Sequence, residues 1–536
     1  MTAGRRLRLH RWLPALVVAA LAGQTAAFAA SAPRLTSAAR VSADDLAPSR
    51  TYLAPFLAVD PENPRTIVAS AVDARSRTCS TFRSVDGGTS WKKLDATPSP
   101  PSFPYCFYIA WMAAETPLAW GRDHTLYYAL AGWGDEDGGQ RFNKTVLLGR
   151  STDLGDTWTT STVRNARVLQ NADVENNLVT SIAVDTHSGP SDIVYVGWGT
   201  RYPNKTGAIA AVQVASSTDG GKTFSDPVDV GTFYKKTVKD AAGKEYPVAN
   251  FFGDPQIAVG NDGTVYALYP GGTPGGFATA APTPLLLGRS TDKGKTWDVT
   301  EATPPGNYPE GVQMLKWSPE GGSQGTLHVV YEDKPDQPAG RADRDIYYVR
   351  STDGGRTWTK PRKLNDDQDP DALHLQVTPN LDVAPDGRVT AAWWDFRDDT
   401  GAFTNDVYAT WSIDNGTTWS ANTKVTDQPI NRRLGVWSNG SDMRGPPAIA
   451  SVDEYTIFGW DDTRLGTELA PSQDIMVRSV QFKALGAGDN TARTVAAALA
   501  GLCVAGLLLL AVALAARRRP PPAVPATAEK EPAGVS

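Results

Sequence analysis

Four segments of this 536-residue chain set an aromatic residue beside arginine or carboxylate side chains: Gly197-Trp-Gly-Thr-Arg201, Tyr331-Glu-Asp-Lys334, Trp394-Asp-Phe-Arg397 and Trp460-Asp-Asp-Thr-Arg464. A fifth, Trp133-Gly-Asp-Glu136, adds a pair of carboxylates. Aromatic rings stack on sugar faces. Arginine forks a carboxylate through two parallel hydrogen bonds. A pair of carboxyl groups does acid–base work on a glycosidic bond. Such a surface suits a carboxylated or polyhydroxylated sugar, with Arg201, Arg397, Arg464, Trp394 and Trp460 as candidate substrate-binding residues. The pairs Trp198/Arg201, Trp394/Arg397 and Trp460/Arg464 recur at matching places in three units, the last with one extra residue between. Repetition at equivalent places points to architecture, for example Asp395 bonded to Arg397 within its own loop. The other reading has three arginines from separate units converging on one anion.

A second repeat shows what must position these loops. The octet Ser-x-Asp-x-Gly-x-Thr-Trp occurs six times, starting at Ser84, Ser151, Ser217, Ser290, Ser351 and Ser412, roughly 60 to 75 residues apart. Thr becomes Ser90 once and Trp becomes Phe224 once. Such a period belongs to solenoids or propellers. An alternating, β-branched run such as Ile346-Tyr-Tyr-Val-Arg350 precedes each octet and reads as a strand. The octet itself reads as a hairpin turn. Its Asp accepts from turn amides, its Gly supplies an unusual backbone angle, and its Trp pins the turn between sheets. Upstream lie two more strands around an Asp-Gly turn, as in Pro255 to Val259 and Thr264 to Tyr269. Four strands make one propeller blade.

The octet is the Asp-box, and the chain resembles the sialidase-like Asp-box (BNR-repeat) β-propellers over nearly its whole mature region. The resemblance implies an all-β propeller of four-stranded blades, with the boxes as structural turns. A seventh unit follows the sixth box, from Pro447 through Ser479, but Gln481 stands where the box Asp should be. Seven blades are therefore expected, the last closed by an N-terminal strand near Ser37 to Ser42. Six blades, as in sialidases, is the alternative. Strand order puts the Asp-Gly turns and boxes on one face and every long loop on the other. Function tends to sit on such loops.

The resemblance implies a sialidase-like glycoside hydrolase of exo-α-sialidase type, with an arginine triad and a tyrosine nucleophile. Tyr308 with Glu310 is the candidate tyrosine–carboxylate pair, and Asp254 the candidate acid. The family's Phe-Arg-Ile-Pro motif is missing. Tyr52-Leu-Ala-Pro55-Phe56 has its place without the arginine. The alternative is a non-catalytic propeller that binds a glycan or protein partner through the same loop face.

The termini carry the signs of an exported, tethered protein. Residues 1–29 read as a signal peptide, with Arg5, Arg6, Arg8 and Arg11 ahead of an apolar stretch and Ala27-Phe28-Ala29 at the cleavage site. Residues 30–52 hold the N-terminal segment with its closing strand, 53–484 the propeller, and 485–494 a linker. Residues 495–516 are charge-free and long enough to cross a bilayer, and Arg517-Arg518-Arg519 should hold the 517–536 tail in the cytoplasm. The expected product is a monomeric, single-pass cell-membrane protein with its ectodomain outside, acting on an extracellular glycan or glycoconjugate. A formal charge of −6 argues against a nucleic-acid partner. Cys79 and Cys106 lie where a disulfide is permitted, and two buried thiols are the alternative. His124, His187, His328 and His374 show no metal-ligand spacing, so no metal or cofactor is expected.

Overall fold

The computed structural model describes residues 33–483 except 48, 77, 99–104, 107–117, 134–144, 166–175, 203–208, 233–236, 240–244, 248–254, 272–283, 307–312, 322, 334–343, 368–374, 400, 402 and 436–444. The chain divides into two units, Met1–Phe482 and Lys483–Ser536. The expected signal peptide and the membrane segment over 495–516 lie outside the described residues. Among those described, no helix is long and apolar enough to cross a membrane.

Among the described residues, seven antiparallel sheets form the ring, and Thr237–Lys239 with Glu245–Pro247 adds a small hairpin. The innermost strands of the seven blades are Tyr52–Val59, Leu118–Trp120, Asn176–Asp185, Gln256–Val259, Gln313–Ser318, Gln376–Val383 and Ala448–Ser451. They pack in that order, and the last packs against the first. Middle strands alternate their side chains between the two neighbouring blades. On Val389–Asp395, Trp393 joins the core with Tyr348 and Val330 of blade five, while Trp394 joins the core with Phe458 and Trp460 of blade seven.

Blade seven is completed from the other end of the chain. Arg34–Leu35 and Ala39–Arg40 pair with its third strand, Asp474–Gln481, placing Ala39 opposite Val477 and Arg34 opposite Gln481. The closing segment thus begins a little earlier than the sequence suggested. Ser42 Oγ donates to Asp474 Oδ1 at 2.8 Å, and Arg478 Nε donates to the Thr36 carbonyl at 2.6 Å. Cys79 is disulfide-bonded. Cys106, its expected partner, sits on Tyr105–Cys106, which packs against the Thr78–Ser84 strand that carries Cys79.

All six boxes share one hydrogen-bond scheme. In the fifth, Ser351 Oγ donates to Asp353 Oδ1 at 2.8 Å and accepts from Gly355 N at 2.9 Å. Thr357 N and Oγ1 donate to the two Asp353 oxygens at 2.9 and 2.6 Å. The fourth and fifth box residues both have positive φ, even where the fourth is Leu154, Lys293 or Asn415. In every box but the fourth, the fifth residue is Gly for a second reason. A Cβ on Gly355 would collide with Leu287 of blade four, and one on Gly416 with Tyr348 of blade five. Each box is thus seated on the preceding blade. Blade seven lacks a box, and Phe482 takes over the task. Its ring lies 3.8 Å from the Arg388 guanidinium and edge-on to Trp411, both of blade six.

These boxes set the acid limit of the fold. Hydrogen bonds from threonine hydroxyls and amides hold Asp292 and Asp414 at about 2. At Asp86, Asp153, Asp219 and Asp353 burial pushes the carboxyl up, but the same bonds outweigh it and the net shift is downward. A carboxylate lowered on folding contributes stability above its unfolded value of about 4, lost as pH falls toward the folded value. His328 acts at higher pH. It is fully buried between Ser318 Oγ (2.9 Å) and the Tyr348 hydroxyl (2.7 Å), and burial, then the Arg350 charge, drives it down to about 3. Its unfolded form takes up a proton below about 6.5 while the folded form does not, so this share of stability also falls with pH. The melting temperature is expected to be flat above about pH 7, to decline gently toward pH 4, and to drop steeply below it. A His328→Gln variant should lose the gentle part only, as followed by calorimetry across pH.

Candidate functional site

The first and third turns of each blade put the boxes on one face. The mouth face receives the second turns and the connections between blades. Three mouth turns carry the same device, Asp-x-Arg, at the end of the middle strand. In blade six Asp395 Oδ1 accepts from Arg397 N (2.9 Å) and Nε (3.0 Å), and Oδ2 accepts from Arg397 Nη2 (2.8 Å). Blade seven repeats it with Asp462 and Arg464 at 2.8, 2.9 and 2.8 Å. Blade one repeats it with Asp73 and Arg75 at 3.0, 2.9 and 2.7 Å. All three aspartates are buried.

Each arginine also reaches a second carboxylate. Arg397 Nη1 binds Asp366 at 2.8 Å, Arg464 Nη2 binds Asp427 at 2.7 Å, and Arg75 Nη2 binds Asp45 at 2.5 Å. Burial alone would lower the Arg397 and Arg464 guanidiniums, but their aspartate partners outweigh it and raise both. Against their own burial, Arg464 and Arg75 hold Asp427 and Asp73 below the carboxylate range, and the Asn422 amide, then Arg397, does the same to Asp366. These arginines brace turns. Arg397 and Arg464, expected to bind substrate, thus direct most of their donors to carboxylates of their own protein, and Arg397 also to the Asn422 amide oxygen.

The tryptophans are corrected as well. Trp394 and Trp460 are fully buried and offer no face to a sugar. Trp394 Nε1 donates to the Gly445 carbonyl at 2.9 Å. Trp460 Nε1 donates to Asp462 Oδ2 at 2.8 Å, and its counterpart in blade six is Trp393, which donates to Asp395 Oδ2 at 2.8 Å. The repeat is thus Trp-x-Asp-x-Arg in both blades, and the extra residue between Trp and Arg disappears. In blade three Trp198 donates to Thr200 Oγ1 at 3.0 Å, so Thr replaces Asp and the arginine position falls on Tyr202. Arg201 lies one residue out of frame, on the Ile193–Tyr202 strand, and its side chain is outside the described residues. So are Asp254, Tyr308 and Glu310. The missed member, Arg75, was legible in Asp73-Ala-Arg75, which has the same spacing without the tryptophan.

Down the axis the inner strands enclose a channel of about 290 Å³. Phe56, Ile182, Met314 and Ile449 supply apolar parts of its wall beside the polar Ser181, Gln256 and Asn380, and Lys316 Nζ meets Asp382 Oδ1 within it at 3.2 Å. At the mouth, Thr378 sits at φ +47° in a bulge of blade six's inner strand, and Glu332 of blade five, fully buried, accepts its amide at 2.9 Å. Blade one has the matching bulge at Ala54, φ +48°, also followed by proline. Bulges of this kind re-aim a strand where it ends at a site. Among the described residues no group of three or more His, Cys, Asp or Glu is placed to hold a metal ion.

Residues 249–439 match the family model described as a BNR repeat-like domain. Among the described residues, seven sheets carrying six Asp-boxes make the fold a β-propeller. No curated protein matches its sequence. Similar solved structures include the α-L-arabinofuranosidase of Fusarium graminearum with arabinobiose, at 16% identity over 70% of this chain and 98% of that one, TM-score 0.41. The α-L-arabinanase of Penicillium chrysogenum with arabinobiose is similar at 12% identity over 84% of this chain and 99% of that one, TM-score 0.40. Trypanosoma rangeli sialidase with sialic acid is similar at 11% identity over 83% of this chain and 59% of that one, TM-score 0.41.

Proposed function

We propose that this protein is a propeller of glycoside-hydrolase kind that acts on extracellular glycans through its mouth face, anchored in the cell membrane by residues 495–516. The observation that supports this most is the division of labour between the faces. The box face is spent on short turns, whereas every long connection leaves from the mouth, over turns held rigid by buried Asp-x-Arg braces. Rigid strand ends beneath long loops are where binding and catalytic groups are usually mounted. Tyr308, Glu310 and Asp254 remain the proposed catalytic groups, all in sequence segments that join one blade to the next.

The finer reading, an exo-α-sialidase, needs arginines for the substrate carboxylate. Arg397 and Arg464 are engaged elsewhere, so neutral sugars are the favoured substrates. The same observation keeps a second reading in view, a non-catalytic glycan-binding propeller. A panel of methylumbelliferyl glycosides separates them: galactoside, glucoside, xyloside, arabinofuranoside and α-sialoside. Release from a neutral glycoside, lost in Glu310→Gln, is the expected result. Binding without release supports the second reading. Neither binding nor release of any glycoside would sink the glycan assignment.

A further inference from the structure

The mouth rim of blades six and seven carries bare apolar side chains beside two unpaired charges. Among the described residues seven large hydrophobic side chains are exposed, and three belong here: Phe403 at 44%, Leu465 at 47% and Leu469 at 99%. Phe403 ends the second turn of blade six, and the two leucines belong to that of blade seven. The 3-10 turn Arg432–Leu434, on the connection between these blades, joins the two. On one side the Arg433 guanidinium lies 3.5 Å from the Phe403 ring centre. On the other, Thr463 Oγ1 donates to the Asn431 carbonyl at 2.7 Å, and Ser472 N donates to the Leu434 carbonyl at 3.3 Å. Arg432 fixes this turn from beneath: it is 3% exposed, and its Nη1 donates to Asp461 Oδ2 at 3.0 Å. Thr467 and Ala470 exchange backbone hydrogen bonds of 3.0 and 3.2 Å, which hold Glu468 and Leu469 at the tip of the blade-seven loop. Arg433 and Glu468 are both exposed, and among the described residues neither side chain meets an opposite charge or a hydrogen-bond partner. Arg433 differs in this from Arg75, Arg397 and Arg464.

We infer that this rim is a contact surface for a second copy of the same chain, docked as a two-fold dimer. Stacking on Phe403 fixes the plane of the Arg433 guanidinium and leaves its donors free for a carboxylate. The rim thus offers one free cation and one free anion. An acidic partner would satisfy Arg433 and repel Glu468, and a basic partner the reverse. A bilayer would have to take in the Glu468 carboxylate beside Leu469, which is costly. A second copy brings both charges at the same spacing. About a two-fold axis midway between them, Arg433 of each copy faces Glu468 of the other, so the pair is made twice. Phe403 lies under Arg433 and Leu469 is next to Glu468, so the same docking brings each Leu469 to the other copy's Phe403. With only three apolar side chains from each copy, the contact is of the small, transient kind, with a dissociation constant on the order of 10 µM. The monomer expected from the sequence is then the form present at low concentration. The inference is independent of the glycan reading.

The test is sedimentation of the full chain in detergent micelles over a range of concentrations. Wild type is compared with Arg433→Glu, Glu468→Arg and the two changes combined. All of them alter exposed loop positions, so melting temperatures should stay close to that of wild type. Each single change sets like charges against each other at both copies of the pair, and is expected to weaken the dimer about tenfold or more. The combined change restores opposite charges and is expected to return the dissociation constant to within about threefold of wild type. Failure of the combined variant to restore the dimer would overturn the pairing. A dimer that both single changes leave intact overturns the inference, because its contact lies elsewhere in the chain. Wild type that stays monomeric at about 100 µM also overturns it, and leaves the rim to a lipid surface or a different protein.

Discussion

Asp395→Ala is expected to destabilise the propeller by about 3–5 kcal/mol, the cost of removing one partner from a buried ion pair. Asp395 is 1% exposed and accepts from five donors: Trp393 Nε1, Gln376 Nε2, and the N, Nε and Nη2 of Arg397. Its loss strands a buried indole N–H and a buried amide and leaves Arg397 only Asp366 and Asn422. Asp395→Asn keeps the size but not the charge, and should lie between wild type and Ala. Urea unfolding of the three proteins checks this. A loss below about 1 kcal/mol would place the brace with exposed ion pairs, which contribute little, and would free Arg397 for another task.

Removing the residues before Ala43 is expected to cost on the order of 5 kcal/mol and to make the protein prone to aggregate. The strap supplies the outermost strands of blade seven and buries Val41 and Ser42 completely. Burying a valine contributes about 2 kcal/mol, and each lost strap hydrogen bond about 1 kcal/mol. Among those lost are Thr36 N to the Ser479 carbonyl at 2.9 Å and Val41 N to the Ile475 carbonyl at 2.8 Å. Without them Asp474–Gln481 becomes an open edge, a template for pairing with another chain. Denaturant unfolding with light scattering reads both effects. A truncated protein that is as stable and as monodisperse as wild type would mean that the strap does not close the ring.

The ring was legible because its signals are local. The box confines its partners to eight consecutive residues, so spacing alone reports the turn, and the box Asp replaced by Gln481 marked the unit that needs an outside strand. The mouth was less legible because its partnerships cross the chain. Trp393 and Trp394 are adjacent and equally buried, yet point to opposite neighbours, so spacing could not say which one matches Trp460. The frame emerges only from the bonds of Trp393 and Trp460 to the aspartates two residues on. Arg432 and Asp461 are separated by a whole connection and a strand, and no residue pattern announces their pairing. The architectural reading of the repeated arginines needed only the Asp-x-Arg spacing, which also identifies Arg75.

The central claim is that Arg75, Arg397 and Arg464 brace the turns of the mouth and do not hold a substrate carboxylate. Thermal unfolding of wild type and Arg397→Ala, each at rising concentrations of sialic acid, tests it directly. The braces predict that the substitution lowers the melting temperature by several degrees. They also predict that any rise produced by sialic acid is the same in both proteins. An unchanged melting temperature, together with a sialic-acid response present in wild type and absent from Arg397→Ala, would contradict it.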